Sequence, residues 1–104
     1  MLLSRILTHK RMILIGREKL TVFIRNHANI RGWIENWISD VEGADWKNTL
    51  DIKKRYSSAS FLKENHVVFN VKGNSYRLLI QVAFRTGKVL VKWIGSHAEY
   101  SKLF

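Results

Sequence analysis

Three observations predict an α+β fold in which a helical layer covers a small antiparallel sheet. Residues 66–100, HVVFNVKGNSYRLLIQVAFRTGKVLVKWIGSHAEY, hold three runs rich in Val, Ile, Leu and aromatics, parted by glycine-containing breaks at 72–75 and 85–87. That is the signature of a three-stranded meander. Upstream, Ile30, Trp33, Ile34, Trp37, Ile38 and Val41 fall at i, i+3, i+4, i+7, i+8 and i+11, the spacing of an amphipathic helix. At 104 residues the chain can bury one core, hence one domain.

Residues 1–11, MLLSRILTHKR, show no clear period and read as an N-terminal extension. Met12 could itself start the protein, and the domain is expected to span 12–104. Residues 12–15 form an apolar run closed by Gly16, which suits a short strand. Leu20, Phe23 and Ile24 then give 17–26 a helical spacing. After a junction at 26–29 comes the amphipathic helix, with Arg31, Glu35, Asn36, Asp40 and Glu42 on its polar side and Gly43 at its stop. Trp33 and Trp37 are expected in the core. Residues 46–56 read as a second short piece, helical or extended, and 57–60 as a small-residue loop.

In the meander, Val67, Phe69 and Val71 alternate with Val68, Asn70 and Lys72, and Tyr76, Leu78, Ile80, Val82 and Phe84 with Arg77, Leu79, Gln81 and Ala83. The Tyr76 set should face the helices and leave Arg77 and Gln81 on the other side. On the last strand Val89, Val91 and Trp93 alternate with Leu90, Lys92 and Ile94, and pairing is expected to bring Lys92 beside Arg77. A terminal turn follows. With the N-terminal strand the sheet is expected to have three to four strands. Asn70 and Asn74 are assigned to the hairpin, where Asn and Gly tolerate positive φ.

The formal net charge is +10, and it is uneven. Residues 1–45 carry 7 Lys and Arg against 5 Asp and Glu, while residues 46–104 carry 11 against 3. The meander half therefore holds +8 of the total, which points to a polyanion such as nucleic acid, with an acidic protein as the alternative partner. No run of apolar residues is long enough to span a membrane, and Ser4 and Arg5 cut the Leu2, Leu3, Ile6, Leu7 cluster too early for a signal-peptide core. A cytoplasmic protein is expected.

The absence of cysteine excludes disulfides, thiolate metal sites and a cysteine nucleophile. Neither a GxxxxGK[ST] loop nor GxGxxG is present. His97, Ala98 and Glu99 spell H-x-E, but a zinc deaminase also needs a downstream PCxxC. His9, His27, His66 and His97 include no i, i+4 pair, so neither a metal nor a cofactor is expected. What remains is Arg, Lys, His and Tyr with few carboxylates. Metal-free RNA cleavage can use such a set. The substrate's 2′-OH is the nucleophile, and the protein must take its proton, stabilise charge on the five-coordinate phosphate and protonate the departing 5′-oxygen.

The run VVFNVKGNSYRLLIQVAF followed by VKWIGSHAEYSK resembles the HigB toxin family of bacterial type II toxin-antitoxin systems, within the wider RelE-like group of messenger-RNA interferases. The resemblance covers roughly residues 12–104 and is tightest in FNVKGNSYRL and IGSHAEY. It implies a RelE-like helix-on-sheet fold, ribosome-dependent cleavage of translated mRNA without a metal, and a cognate helix-turn-helix antitoxin as partner. The Tyr76-Arg77-Leu78 run matches the place where RelE-like enzymes hold an Arg against the scissile phosphate. Residues 95–100 match the segment after their last strand and nominate His97 and Tyr100. This segment lacks the Arg-rich form found in RelE itself, which leaves the acid and base assignments open.

Each nomination has a structural alternative. Arg77 could pair with Glu64 or Glu99, His97 could brace the C-terminal turn, and Tyr100 could be a core ring with a wet hydroxyl. Lys53, Lys54 and Arg55, with Lys72, Lys92 and Lys102, are the candidate RNA-binding cations, against the reading of a charge run as a solvated face. The rival function is a basic protein that binds RNA or the ribosome without cutting.

Overall fold

The computed structural model describes residues 11–104, so the expected N-terminal extension lies outside the described residues except for Arg11. In chain order the elements are β1 (Ile13–Ile15), α1 (Arg17–Arg25), α2 (Arg31–Gly43), α3 (Thr49–Arg55), β2 (Ser60–Phe61), β3 (His66–Val71), β4 (Tyr76–Ala83), β5 (Lys88–Ser96) and α4 (His97–Leu103). The architecture is α+β, with the helices on one sheet. That sheet has five strands in the order β1-β5-β4-β3-β2, one more than the upper expectation. The extra strand, β2, is two residues long and begins in the small-residue loop, where no alternation could announce it. Because β1 runs parallel to β5 while the other pairings are antiparallel, the sheet is mixed.

The core sits on one face. Leu20 and Ile24 of α1, Ile34, Trp37, Ile38 and Val41 of α2 and Ile52 of α3 pack against Val67, Phe69 and Val71 of β3, Leu78, Ile80 and Val82 of β4, and Val89 and Val91 of β5. Period 3.6 on the helices meets period 2 on the strands, so each element buries one side. Trp37 is fully buried and meets Phe69 edge to face, with ring centroids 5.6 Å apart. Trp33 is only partly buried and tilts toward Tyr56 at 6.2 Å. Met12 is also a core residue, and its N–H donates to Ala44 O at 3.0 Å.

Piece 46–56 resolves into a helix. Asn48 caps it by accepting the Asp51 N–H at 3.1 Å, and Asp51 Oδ2 accepts from Lys47 N–H at 2.9 Å. At its far end the Tyr56 hydroxyl donates a short hydrogen bond to Asp40 of α2, and Arg55 pairs with the same carboxylate at 2.7 Å. Burial, then this bond, pushes the Tyr56 phenol well above its ordinary range.

β5 departs from simple alternation. Leu79 pairs with Trp93 but Ile80 pairs with Val91, so Lys92 is the extra residue of a bulge. The bulge sits just past Leu90, the last partner of β1, where β5 becomes an edge. There Gly16 turns the chain from β1 into α1 at φ +90°, and a Cβ on it would lie 3.1 Å from Val91 O. Two expectations fall with the bulge. Trp93 leaves the Val89, Val91 side and Ile94 joins the core in its place, while Lys92 is not beside Arg77, whose partners are Asn70 and Gly95. In the β3–β4 turn, the positive φ angles are at Lys72 (49°) and Gly73 (70°), not at the asparagines.

Candidate nucleic-acid interface

The second face of the sheet is built differently. Across β3, β4 and β5, one row reads Asn70, Arg77, Gly95 and the next Val68, Leu79, Trp93, each set in register and hence on one side. Val68, Leu79 and Trp93 take no part in the helix-covered core. At Gly95 a Cβ would stand 2.4 Å from Trp93 Cζ2 and 2.5 Å from Cη2, so the indole occupies the space a side chain would need. Glycine is required there by close approach rather than by backbone angle.

The expected terminal turn is a helix, α4, started by a capping box. Ser96 Oγ accepts from the Glu99 N–H at 3.1 Å, and Glu99 Oε1 accepts from the Ser96 N–H at 2.9 Å. The Ser96 backbone and then its side chain hold the Glu99 carboxyl below its usual range. The His97 N–H donates to Ser75 O at 2.9 Å, which ties the first turn of α4 to the β3–β4 hairpin. His97, Tyr100 and Phe104 then fall at i, i+3 and i+7, one stripe of the helix. Tyr100 and Phe104 face the sheet, their rings 6.0 Å and 5.6 Å from Trp93, while His97 at the head of the helix is exposed.

Arg77 projects from the same face, where its cross-strand partner is Gly95. Its Nη2 donates to Asn74 Oδ1 at 2.8 Å, and Nη1 reaches Asn74 O at 3.4 Å and Tyr76 O at 3.3 Å. None of the ion pairs among the described residues engages it, so the alternatives of Glu64 and Glu99 as partners are not realised. Glu99 lies close, with Oε1 3.1 Å from the Cβ position of Gly95, but it is held by Ser96. Sequence reasoning missed Asn74 as the holder of Arg77. The signal was available, since the two are three residues apart across a tight turn.

The structure thus sets Arg77 opposite Gly95, two residues before His97, and ties the His97 backbone to Ser75, two residues before Arg77. The nominated lysines scatter. Lys72 is nearest, in the hairpin turn, with Nζ donating to Asn29 O at 2.9 Å. Lys102 is exposed, about 140° around α4 from His97 at 100° per residue. Lys92, at the bulge, lines a groove with Glu18, Lys19, Val22 and Phe23 of α1. The run of three belongs to the helical layer: Lys53 Nζ donates to Ala59 O at 3.1 Å and lies 5.8 Å from the Phe61 ring, Arg55 is paired with Asp40, and Lys54 is exposed. Among the described residues no three His, Asp or Glu side chains gather closely enough to hold a metal ion, and no helix is long and apolar enough to cross a membrane.

Fold and face together define a small basic α+β domain with a guanidinium free of carboxylates on one sheet face and a short helix carrying a His and a Tyr next to it. The chain belongs to the HigB toxin family: the model for that family, described as HigB toxin, RelE-like toxic component of a toxin-antitoxin system, matches residues 31–103. No curated protein matches the chain. The family match takes in α2 through α4, and with them Arg77, His97 and Tyr100, while β1 and α1 lie ahead of it.

Proposed function

We propose that this toxin is a ribosome-dependent, metal-independent endoribonuclease that cuts translated mRNA and so stops translation. The observation that carries the reading is Arg77, oriented by Asn74, paired to no carboxylate and set opposite Gly95, from which the chain runs directly into the helix of His97 and Tyr100. A guanidinium placed this way can grip two phosphate oxygens and stabilise the charge that builds in the five-coordinate transition state. His97 is exposed at the first turn of α4, where imidazole can accept the 2′-OH proton or return one to the 5′-oxygen. Tyr100 serves as its partner in proton transfer or as a donor to the phosphate. The substrate is mRNA held on the ribosome. The toxin works in the cytoplasm, and a cognate helix-turn-helix antitoxin keeps it silent.

Purified protein added to translating ribosomes tests this directly. Mapping the mRNA ends should reveal new termini inside the coding sequence. They should persist in chelator at a free Mg²⁺ level that keeps ribosomes assembled. Binding to ribosomes or RNA without new termini would favour the non-catalytic rival.

A further inference from the structure

The open face holds more than the three nominated groups need. Tyr100 and Phe104 stack with centroids 4.9 Å apart and planes 28° from parallel, and Trp93 meets them at 6.0 and 5.6 Å. Phe104 is 64% exposed, so the cluster has one open ring. It also borders a hollow with Leu62, Lys63, Glu64, His66 and Leu79, which offers both donors and an acceptor beside an aromatic wall. Leu79 lies two residues beyond Arg77 on β4, an advance of about 7 Å, within reach of a nucleotide whose phosphate sits at Arg77. Gly95 enforces the arrangement by keeping the Trp93 indole down against the strand next to Arg77.

We propose that Trp93, Tyr100 and Phe104 form a stacking platform for a base of single-stranded RNA next to the phosphate held at Arg77, with Phe104 as its open end. The inference rests on the endoribonuclease reading for its substrate, and it names the part of the site that grips the nucleotide. Charge complementarity selects RNA as the occupant. An apolar peptide would gain nothing from Lys63 at the hollow or from Arg77, one row along the sheet from Trp93, whereas a base presents its π-face to the rings and its phosphate to the cations. The edge groups of Lys63, Glu64 and His66 make this hollow the place where one base could be preferred over another.

The test uses Phe104, which carries none of the proton transfers and whose exposure makes its replacement harmless to folding. Short single-stranded RNA carrying 2-aminopurine is titrated with the full chain, and cut sites are mapped on a translated reporter. The account predicts quenching of the fluorescent base by the parental protein, lost in Phe104→Ala and Phe104→Leu and kept in Phe104→Tyr. On ribosomes the Ala and Leu variants should raise KM by about tenfold, from a stack lost at a single base, and should broaden the choice of cut site. Parental quenching, KM and cut sites in Phe104→Leu would overturn the platform, because an apolar side chain without a π-face would then suffice. If the parental protein quenches but never cuts, the platform stands and the enzyme reading falls. If it cuts and no Phe104 variant changes quenching or KM, the reverse holds.

Discussion

The two faces of the sheet are made from the same strands and are built to opposite rules. One is filled with Val67, Phe69, Val71, Leu78, Ile80, Val82, Val89 and Val91 beneath three helices. The other carries Asn70, Arg77, Gly95 and Trp93 beneath one short helix, α4. The second face thus sets a guanidinium held by an amide, and not by a carboxylate, beside a cluster of three aromatic rings. The larger core lies on the first face, and on the second Val68 and Leu79 are buried while Arg77 stays partly exposed. Substitutions on the two faces should therefore fail in different ways.

The largest effect is expected on the filled face. Trp37→Ala removes a fully buried ring and should cost about 3–5 kcal/mol in urea unfolding, with activity lost only as the fold is lost. Gly95→Ala comes next and sits on the open face. Its methyl would meet Trp93, and overpacking of this sort costs about 1–3 kcal/mol, so α4 should loosen and helix content and cleavage should fall together. A smaller and cleaner effect is expected from Asn74→Ala. Losing the 2.8 Å bond to Arg77 should lower cleavage by about tenfold while the unfolding midpoint barely moves. A midpoint shift equal to the loss in rate would put Asn74 in the fold instead.

The smallest effect is a pH dependence. Glu99 titrates below its usual range in the folded chain, so its contribution is fully present above the unfolded carboxyl value and is lost as pH falls through the lowered one. Acid should therefore fray α4, read as loss of Trp93 and Tyr100 ring order by NMR, and Glu99→Gln should remove that pH dependence. An unchanged acid response in Glu99→Gln would show that the capping box is not its source.

Much of this contrast was legible in the sequence. Period 3.6 in 30–41 and period 2 in β3 and β4 are set by side-chain geometry alone, and they put Leu78 and Arg77 on opposite faces correctly. The bulge at Lys92 was not legible. It depends on where β1 stops, a tertiary fact, and a one-residue slip moved Trp93 to the other side. α4 was readable but unread, since Ser96 and Glu99 are spaced as a capping box in a stretch noted for a different motif. How the run Lys53, Lys54 and Arg55 would be disposed was not legible either. Neighbours in sequence on a helix diverge by about 100°, so Lys53 reaches Ala59 O and Arg55 reaches Asp40 while Lys54 is exposed. Of the candidate site, Arg77, His97 and Tyr100 came from the resemblance, while Asn74 and Trp93 needed the structure.

The central claim is that Arg77 acts on the transition state and not on the fold, and parallel measurement of cleavage and stability for Arg77→Ala tests it most directly. Its side chain leaves the open face without opening a cavity, so the urea midpoint should stay close to the parental value. Cleavage on ribosomes should fall by about 10² to 10³, the worth of a preorganised donor aimed at developing charge. Arg77→Lys should recover little, because an ammonium cannot reproduce the planar two-donor grip. Cleavage at the parental rate by folded Arg77→Ala, or unfolding of that variant, would contradict the account.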